Sequence, residues 1–174
     1  VTDYVPMGTD LLFACANMEG LVIGAEICED VWVPDPPSNR HALAGATLIV
    51  NASASDENTG KDLYRRSLVE NQSARLVCSY IYADAGEGES TTDLVFAGHN
   101  LICENGTLLR ESERFTTGLI TADLDLERLR NERRRMTTFG PLDSEGYQRV
   151  AFTVRKAPLS LERFVDPAPF VPGN

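Results

Sequence analysis

The chain has 174 residues, 43% apolar and 24% charged, which suits one ordinary globular domain with a buried core. Its 16 basic residues stand against 26 acidic ones, and a net charge of −10 repels phosphate backbones, which argues against nucleic acid as a partner. No run approaches the roughly 18 apolar residues of a membrane helix, and the start carries no signal-peptide pattern.

The first clear element is Leu21-Val-Ile-Gly-Ala-Glu-Ile27, a short apolar, β-branched run that reads as a buried strand. Pro36 and Pro37 suit the first turn of a helix, which runs through Arg40, Ala42, Leu43 and Ala44 to a stop near Gly45. Thr47-Leu-Ile-Val-Asn51 is a second strand, and Ser53 to Gly60 a polar loop. A helix is predicted from Lys61 to Leu76, followed by a third strand, Val77-Cys-Ser-Tyr-Ile-Tyr-Ala83. The order β-α-β-α-β favours a largely parallel sheet covered by helices.

Then the pattern changes. Gly86-Glu-Gly-Glu-Ser-Thr-Thr92 is a polar loop, and the stretches Leu94 to Ala97, His99 to Cys103 and Thr107 to Arg110 are predicted as short strands. Glu104-Asn-Gly106 reads as a hairpin turn. Gly118 to Leu124 is predicted as a further strand, Leu126 to Met136 as a helix and Tyr147 to Val154 as a last strand. Residues 1–160 thus form one domain, and 161–174 a proline-rich, extended linker.

Cys15, Cys28, Cys78 and Cys103 form no CxxC pair, which is neither a disulfide framework nor a zinc pattern. Free thiols suit a reducing compartment, most simply the cytoplasm. His41 and His99 lack metal-ligand spacing, so no metal site is expected. Arg128, Arg130, Arg133, Arg134 and Arg135 are interleaved with Glu127 and Glu132. They form either a solvated helical face or a surface for another domain or subunit.

The informative stretch is Gly24-Ala-Glu-Ile-Cys28-Glu-Asp-Val-Trp32. It places a cysteine at the carboxyl end of a strand, where open α/β sheets present reactive groups. A nucleophile on a tight strand-exit turn exposes its side chain while the following backbone N–H faces an oxyanion. A lone cysteine on an apolar strand is more often a small core residue. Glu26, Glu29 and Asp30 surround Cys28 with negative charge, which disfavours a thiolate, so a nucleophile here needs a proton acceptor and a cation from elsewhere.

Gly24-Ala-Glu-Ile-Cys28-Glu-Asp30 followed by Asn51-Ala-Ser-Ala-Ser55 resembles the nucleophile segment and the N-x-S strand end of nitrilase-superfamily amidases. The block from Tyr80 through Gly86-Glu-Gly-Glu-Ser-Thr-Thr-Asp93 to Glu104-Asn-Gly106, with Glu111-Ser-Glu-Arg-Phe115 and Pro169-Phe-Val-Pro172, is similar to the glutamine-hydrolysing domain of bacterial glutamine-dependent NAD⁺ synthetases. The resemblance implies the later part of a nitrilase-like four-layer α-β-β-α sandwich.

In activity it implies a glutaminase with a Glu–Lys–Cys triad, in which Cys28 attacks the side-chain amide of glutamine and forms a thioester. Ammonia then serves an ATP- and Mg²⁺-using synthetase domain that amidates deamido-NAD⁺. Both lie outside this chain, whose partners are glutamine, that domain and further copies in a homo-oligomer. The backbone N–H of Glu29 is the implied oxyanion donor, and the Glu29 side chain a partner for the α-amino group. Ser55 and Lys61 match positions that contact the amino-acid end of glutamine, the second commonly Arg, and Trp32 matches a pocket wall. Bland readings stand beside these: Ser55 as a helix cap, Trp32 as core and Lys61 as a surface lysine. The family's Glu and Lys precede the cysteine by long stretches, so both are expected upstream of Val1, and the chain alone is expected to show no turnover. The rival readings are a stand-alone carbon–nitrogen hydrolase on another amide or nitrile, and a non-catalytic scaffold piece.

Overall fold

The structure is a computed structural model, and it describes residues 5, 7–89, 92–158 and 160–164. Among them, seven strands form one mixed sheet: β1 (Leu11–Cys15), β2 (Val22–Ile27), β3 (Leu48–Ser53), β4 (Ser79–Asp84), β5 (Leu101–Glu104), β6 (Thr107–Glu111) and β7 (Gln148–Phe152), in spatial order β6-β5-β4-β3-β2-β1-β7. The centre, β2-β3-β4, is parallel as the β-α-β-α-β order requires. Its flanks are not: β1 and β5 run antiparallel to their inner neighbours, and β7 closes one edge parallel to β1.

Two helices make the parallel crossovers, α1 (Pro37–Leu43) and α2 (Lys61–Leu76). Pro37 opens α1 in the first helical position, where its missing N–H costs nothing. Helix α1 lies close over β2 because Gly24 has no side chain: a Cβ there would sit 2.9 Å from His41 Cβ. Helix α2 ends where Val77 adopts φ 45° and Cys78 N–H returns to Ser73 O at 3.1 Å. The core between helices and sheet holds Leu12, Ile49, Val69, Tyr80, Tyr82 and Leu101, all essentially buried.

A third helix, α3 (Leu126–Arg135), begins at the Asp125 cap, whose carboxylate accepts from Arg128 N at 2.9 Å, and buries Leu129. Two predicted strands are absent. The segment 94–97 forms an isolated bridge from Phe96 to Asp56 in place of a strand, and 118–124 runs as irregular chain with Leu119 almost fully exposed. Apolar alternation specifies a strand only where a sheet edge is there to pair with it. Conversely β1 lies in a five-residue run that sequence patterning left unassigned, and pairing on both sides makes it a strand. Contacts of the domain continue to Arg163, which bonds Glu104 and Asp123, while residues 165–174 of the proline-rich tail lie outside the described residues. No helix of the described residues is long and apolar enough to cross a membrane.

Candidate active site at the carboxyl ends of β2 and β3

Strand β2 ends at Ile27, and Cys28 begins a 3-10 helix (Cys28–Trp32). Cys28 takes φ 51°, a left-handed conformation that costs a non-glycine residue energy and persists only where surroundings impose it. Asn51, at the end of β3, imposes it. Cys28 N–H donates to Asn51 Oδ1 at 3.0 Å, and Asn51 Nδ2 donates to Cys28 O at 3.3 Å. The N–H of Ile27 donates to the Asp30 carboxylate at 2.7 Å. The first N–H groups of a helix have no intrahelical acceptor. With Ile27 and Cys28 satisfied, the N–H of Glu29 finds no backbone acceptor among the described residues outside the turn itself.

A cavity of about 340 Å³ opens beside this turn, lined by Cys28, Glu29, Trp32, Ser55, Asp56 and Lys61. The fold therefore brings all five residues singled out from the sequence to one place and adds Asp56. Lys61 Nζ pairs with Asp56 Oδ1 at 2.7 Å and sits 5.5 Å from the centre of the Trp32 ring. The hydrogen bond from Lys61 holds the Asp56 carboxyl below its ordinary range. Trp32 serves two purposes, its ring tilted against Tyr64 with centroids 5.3 Å apart and packed on the core while also walling the cavity. The reading of Ser55 as a helix cap does not hold: Gly60 occupies the N-cap of α2 and no side chain caps it. Ser55 is instead buried, its N–H bonded to Asp84 Oδ1 at 2.9 Å and its hydroxyl accepting from Arg65 Nη2 at 3.2 Å.

Arg65 lies fully buried behind the cavity wall. Its Nη1 donates to Glu57 Oε2 at 3.0 Å and to His99 Nδ1 at 2.9 Å, while Nη2 is 3.9 Å from Asp84 Oδ2. Because Nδ1 accepts from the arginine, His99 carries its proton on Nε2, which donates to Glu111 Oε1 at 2.7 Å. Burial, aided by the Arg65 charge, pushes His99 down to about 4, so the ring is neutral. Burial likewise pushes the Asp84 carboxyl up. This cluster fixes the 55–57 loop that carries two cavity residues.

Of the acidic flank, only Glu29 lines the cavity. Asp30 turns back to the Ile27 N–H, and Glu26 points to the helix-covered side of the sheet, accepting from Tyr80 and from Ser38 N–H at 2.8 Å. The arginine cluster divides too. Arg133 caps the carboxyl end of α2 through the carbonyls of Leu76 and Val77, at 2.9 and 3.0 Å, and stacks on Phe139, whereas Arg128, Arg134 and Arg135 stay exposed. Asn51, Asp56 and Arg65 were not assigned site roles from sequence. The available signal was a polar residue closing an apolar strand, in Leu48-Ile-Val-Asn51.

The description of the carbon–nitrogen hydrolases matches residues 1–134. The chain belongs to this family. Among curated relatives of this carbon–nitrogen hydrolase, the glutamine-dependent NAD(+) synthetase of Mycobacterium tuberculosis (strain ATCC 25618 / H37Rv) is 47% identical over 180 residues, 98% of this chain and 26% of that protein. That of Mycobacterium leprae (strain TN) is 47% identical over 179 residues, 97% of this chain and again 26% of the relative. The chain thus spans about a quarter of the length of these relatives. In fold it is similar to Nit3 of Saccharomyces cerevisiae, a nitrilase-superfamily member, with a TM-score of 0.58 and 20% identity over 67% of this chain and 42% of that one. The glutamine-dependent NAD+ synthetase of Acinetobacter baumannii also gives 0.58, at 21% identity over 65% of this chain and 21% of that one.

Proposed function

We propose that this chain carries the nucleophile and the amino-acid-binding wall of a glutamine amide-hydrolysing site, in a longer enzyme that makes NAD⁺ from deamido-NAD⁺ with ATP. The observation that supports this most is the convergence of Cys28, Glu29, Trp32, Ser55 and Lys61 on one cavity at the carboxyl end of the parallel strands. In this reading Cys28 Sγ attacks the side-chain amide carbon of glutamine, and the carbonyl oxygen, now an oxyanion, takes the Glu29 N–H. Collapse breaks the C–N bond and releases ammonia, leaving a γ-glutamyl thioester that water hydrolyses to glutamate and the free thiol. The glutamate base and the lysine that complete the triad are contributed by the rest of the protein, as is the synthetase domain that uses the ammonia. In this reading the ATP and Mg²⁺ chemistry belongs to that other domain.

Lys61 gives the cavity a cation and Glu29 an anion, which matches the zwitterionic end of an amino acid, and Asp56 holds the lysine in the cavity wall at 2.7 Å. The α-carboxylate goes to Lys61 and the Ser55 region, the α-ammonium to Glu29. In the intact enzyme Cys28→Ala removes glutamine-dependent synthesis and leaves ammonia-dependent synthesis in place; loss of both in a folded variant would overturn the reading. Lys61→Ala raises KM for glutamine and lowers kcat/KM by roughly tenfold to a hundredfold, the loss of one charge-assisted contact, with Lys61→Arg retaining most function.

A further inference from the structure

The buried polar residues of the covered sheet face form a directed chain that ends on the nucleophile's own peptide. Glu26, Asn51 and Tyr80 lie on that face, Glu26 and Asn51 as register partners on β2 and β3. Glu26 Oε2 is taken by the Ser38 N–H in the first turn of α1 at 2.8 Å, and Gln72 of α2 holds the Ser38 hydroxyl at 2.9 Å. Glu26 Oε1 accepts from the Tyr80 hydroxyl. Burial pushes the Tyr80 phenol well up, so it keeps its proton, and that proton is committed to Glu26. The phenolic oxygen can then only accept, and it accepts from Asn51 Nδ2 at 3.2 Å.

This fixes which way the Asn51 amide faces. Its NH₂ serves Tyr80 and the Cys28 carbonyl, and its Oδ1 serves the Cys28 N–H at 3.0 Å and the Ser53 hydroxyl at 2.7 Å. The flipped amide would set a donor against the Cys28 N–H and an acceptor against the Cys28 carbonyl. The chain of donors therefore selects the one amide orientation that clamps both ends of the Cys28 residue at φ 51°.

We propose that Glu26, Tyr80 and Asn51 are positioning residues: together they hold the Cys28 peptide in its left-handed turn, which sets where the thiol stands and leaves the Glu29 N–H for the oxyanion. The proposal rests on the reading of Cys28 as the glutamine-hydrolysing nucleophile. None of the three lines the cavity, so they act through Cys28 and not on substrate.

The test uses the intact enzyme. Tyr80→Phe removes one hydroxyl and keeps the ring in the core. Because misplacement of a nucleophile by about an ångström costs up to a hundredfold, kcat with glutamine falls at least about tenfold while KM stays within about twofold. Ammonia-dependent synthesis is unchanged, and the retained KM for glutamine shows that the site itself is still folded, which a general loss of fold in this part would not allow. Glu26→Gln, which can donate to Tyr80 and so release it to donate to Asn51, gives the same glutamine-only loss and carries the test where the Phe variant does not fold. The double variant is no slower than the worse single one, since both break one chain. Wild-type kcat in both single variants, or equal loss of the two activities, overturns the proposal. Cys28→Ala run alongside separates the two failures: if that variant still uses glutamine, the nucleophile reading fails instead.

Discussion

The two faces of the central strands contrast in a way the sequence alternation alone does not suggest. On the helix-covered face the register sets Glu26 beside Asn51 and Tyr82, all essentially buried, so polar side chains sit within the apolar core. On the opposite face Ile27, Ala52 and Ala83 stand in one row, with Ala25, Val50, Ile81 and Ile102 in the next. Ile27 is 68% exposed there, and Ala25, Ala52 and Ala83 are exposed as well. A half-solvated sheet ordinarily turns polar residues to its open side. The contrast teaches that polarity on the covered face is devoted to geometry, while the apolar open face needs a cover. The four-layer sandwich of the family offers one: a second sheet lying on this side.

The largest expected effect comes from breaking the covered face at Arg65. Arg65→Met leaves Glu57 and Asp84 buried without their cation and costs about 3–5 kcal/mol in urea unfolding. Ile49→Ala, a cavity in the core between helices and sheet, costs about 2–5 kcal/mol by the same measurement. Its counterpart Ile27→Ala on the open face changes the stability of this chain by less than about 0.5 kcal/mol. In the longer enzyme the Ile27 variant becomes costly if a second sheet covers that face, and equal costs in both settings would argue against such a cover.

The pH dependence sharpens the same contrast, because the depressed histidines belong to the covered side. His99 falls from 6.5 to about 4, so between these values the unfolded chain binds a proton that the folded one refuses. Its contribution is fully present above about 6.5 and is lost as pH drops toward 4, with His41, also lowered by burial, adding to the slope. The raised Asp84 works in the opposite direction at the acid end. Urea midpoints measured from about pH 7 to about pH 5 should therefore fall, and His99→Gln should flatten that fall. A slope unchanged by the substitution would place the titration elsewhere.

Much of this was legible beforehand where local signals are strong. Helix α2 runs over the predicted Lys61–Leu76, with Gly60 before it and no proline inside, and the hairpin at Glu104-Asn-Gly106 follows from turn chemistry, with Asn105 and Gly106 both at positive φ. The segments 94–97 and 118–124 carry strand-like residues yet stay irregular, because pairing depends on a neighbour that no local window contains. For the same reason β1 went unread until β2 and β7 flanked it.

The sequence by itself determined the β-α-β-α-β core, the place of Cys28 on a strand exit and, through the resemblance of its motifs, the residues that share its cavity. Only the tertiary structure decided which polar groups face one another. Asn51, Asp56 and Arg65 are 23, 28 and 37 residues from Cys28 in number, and their roles come from register and packing. A buried hydrogen bond is specified by the direction of a donor and the absence of water, and neither is a property of a residue's neighbours in sequence.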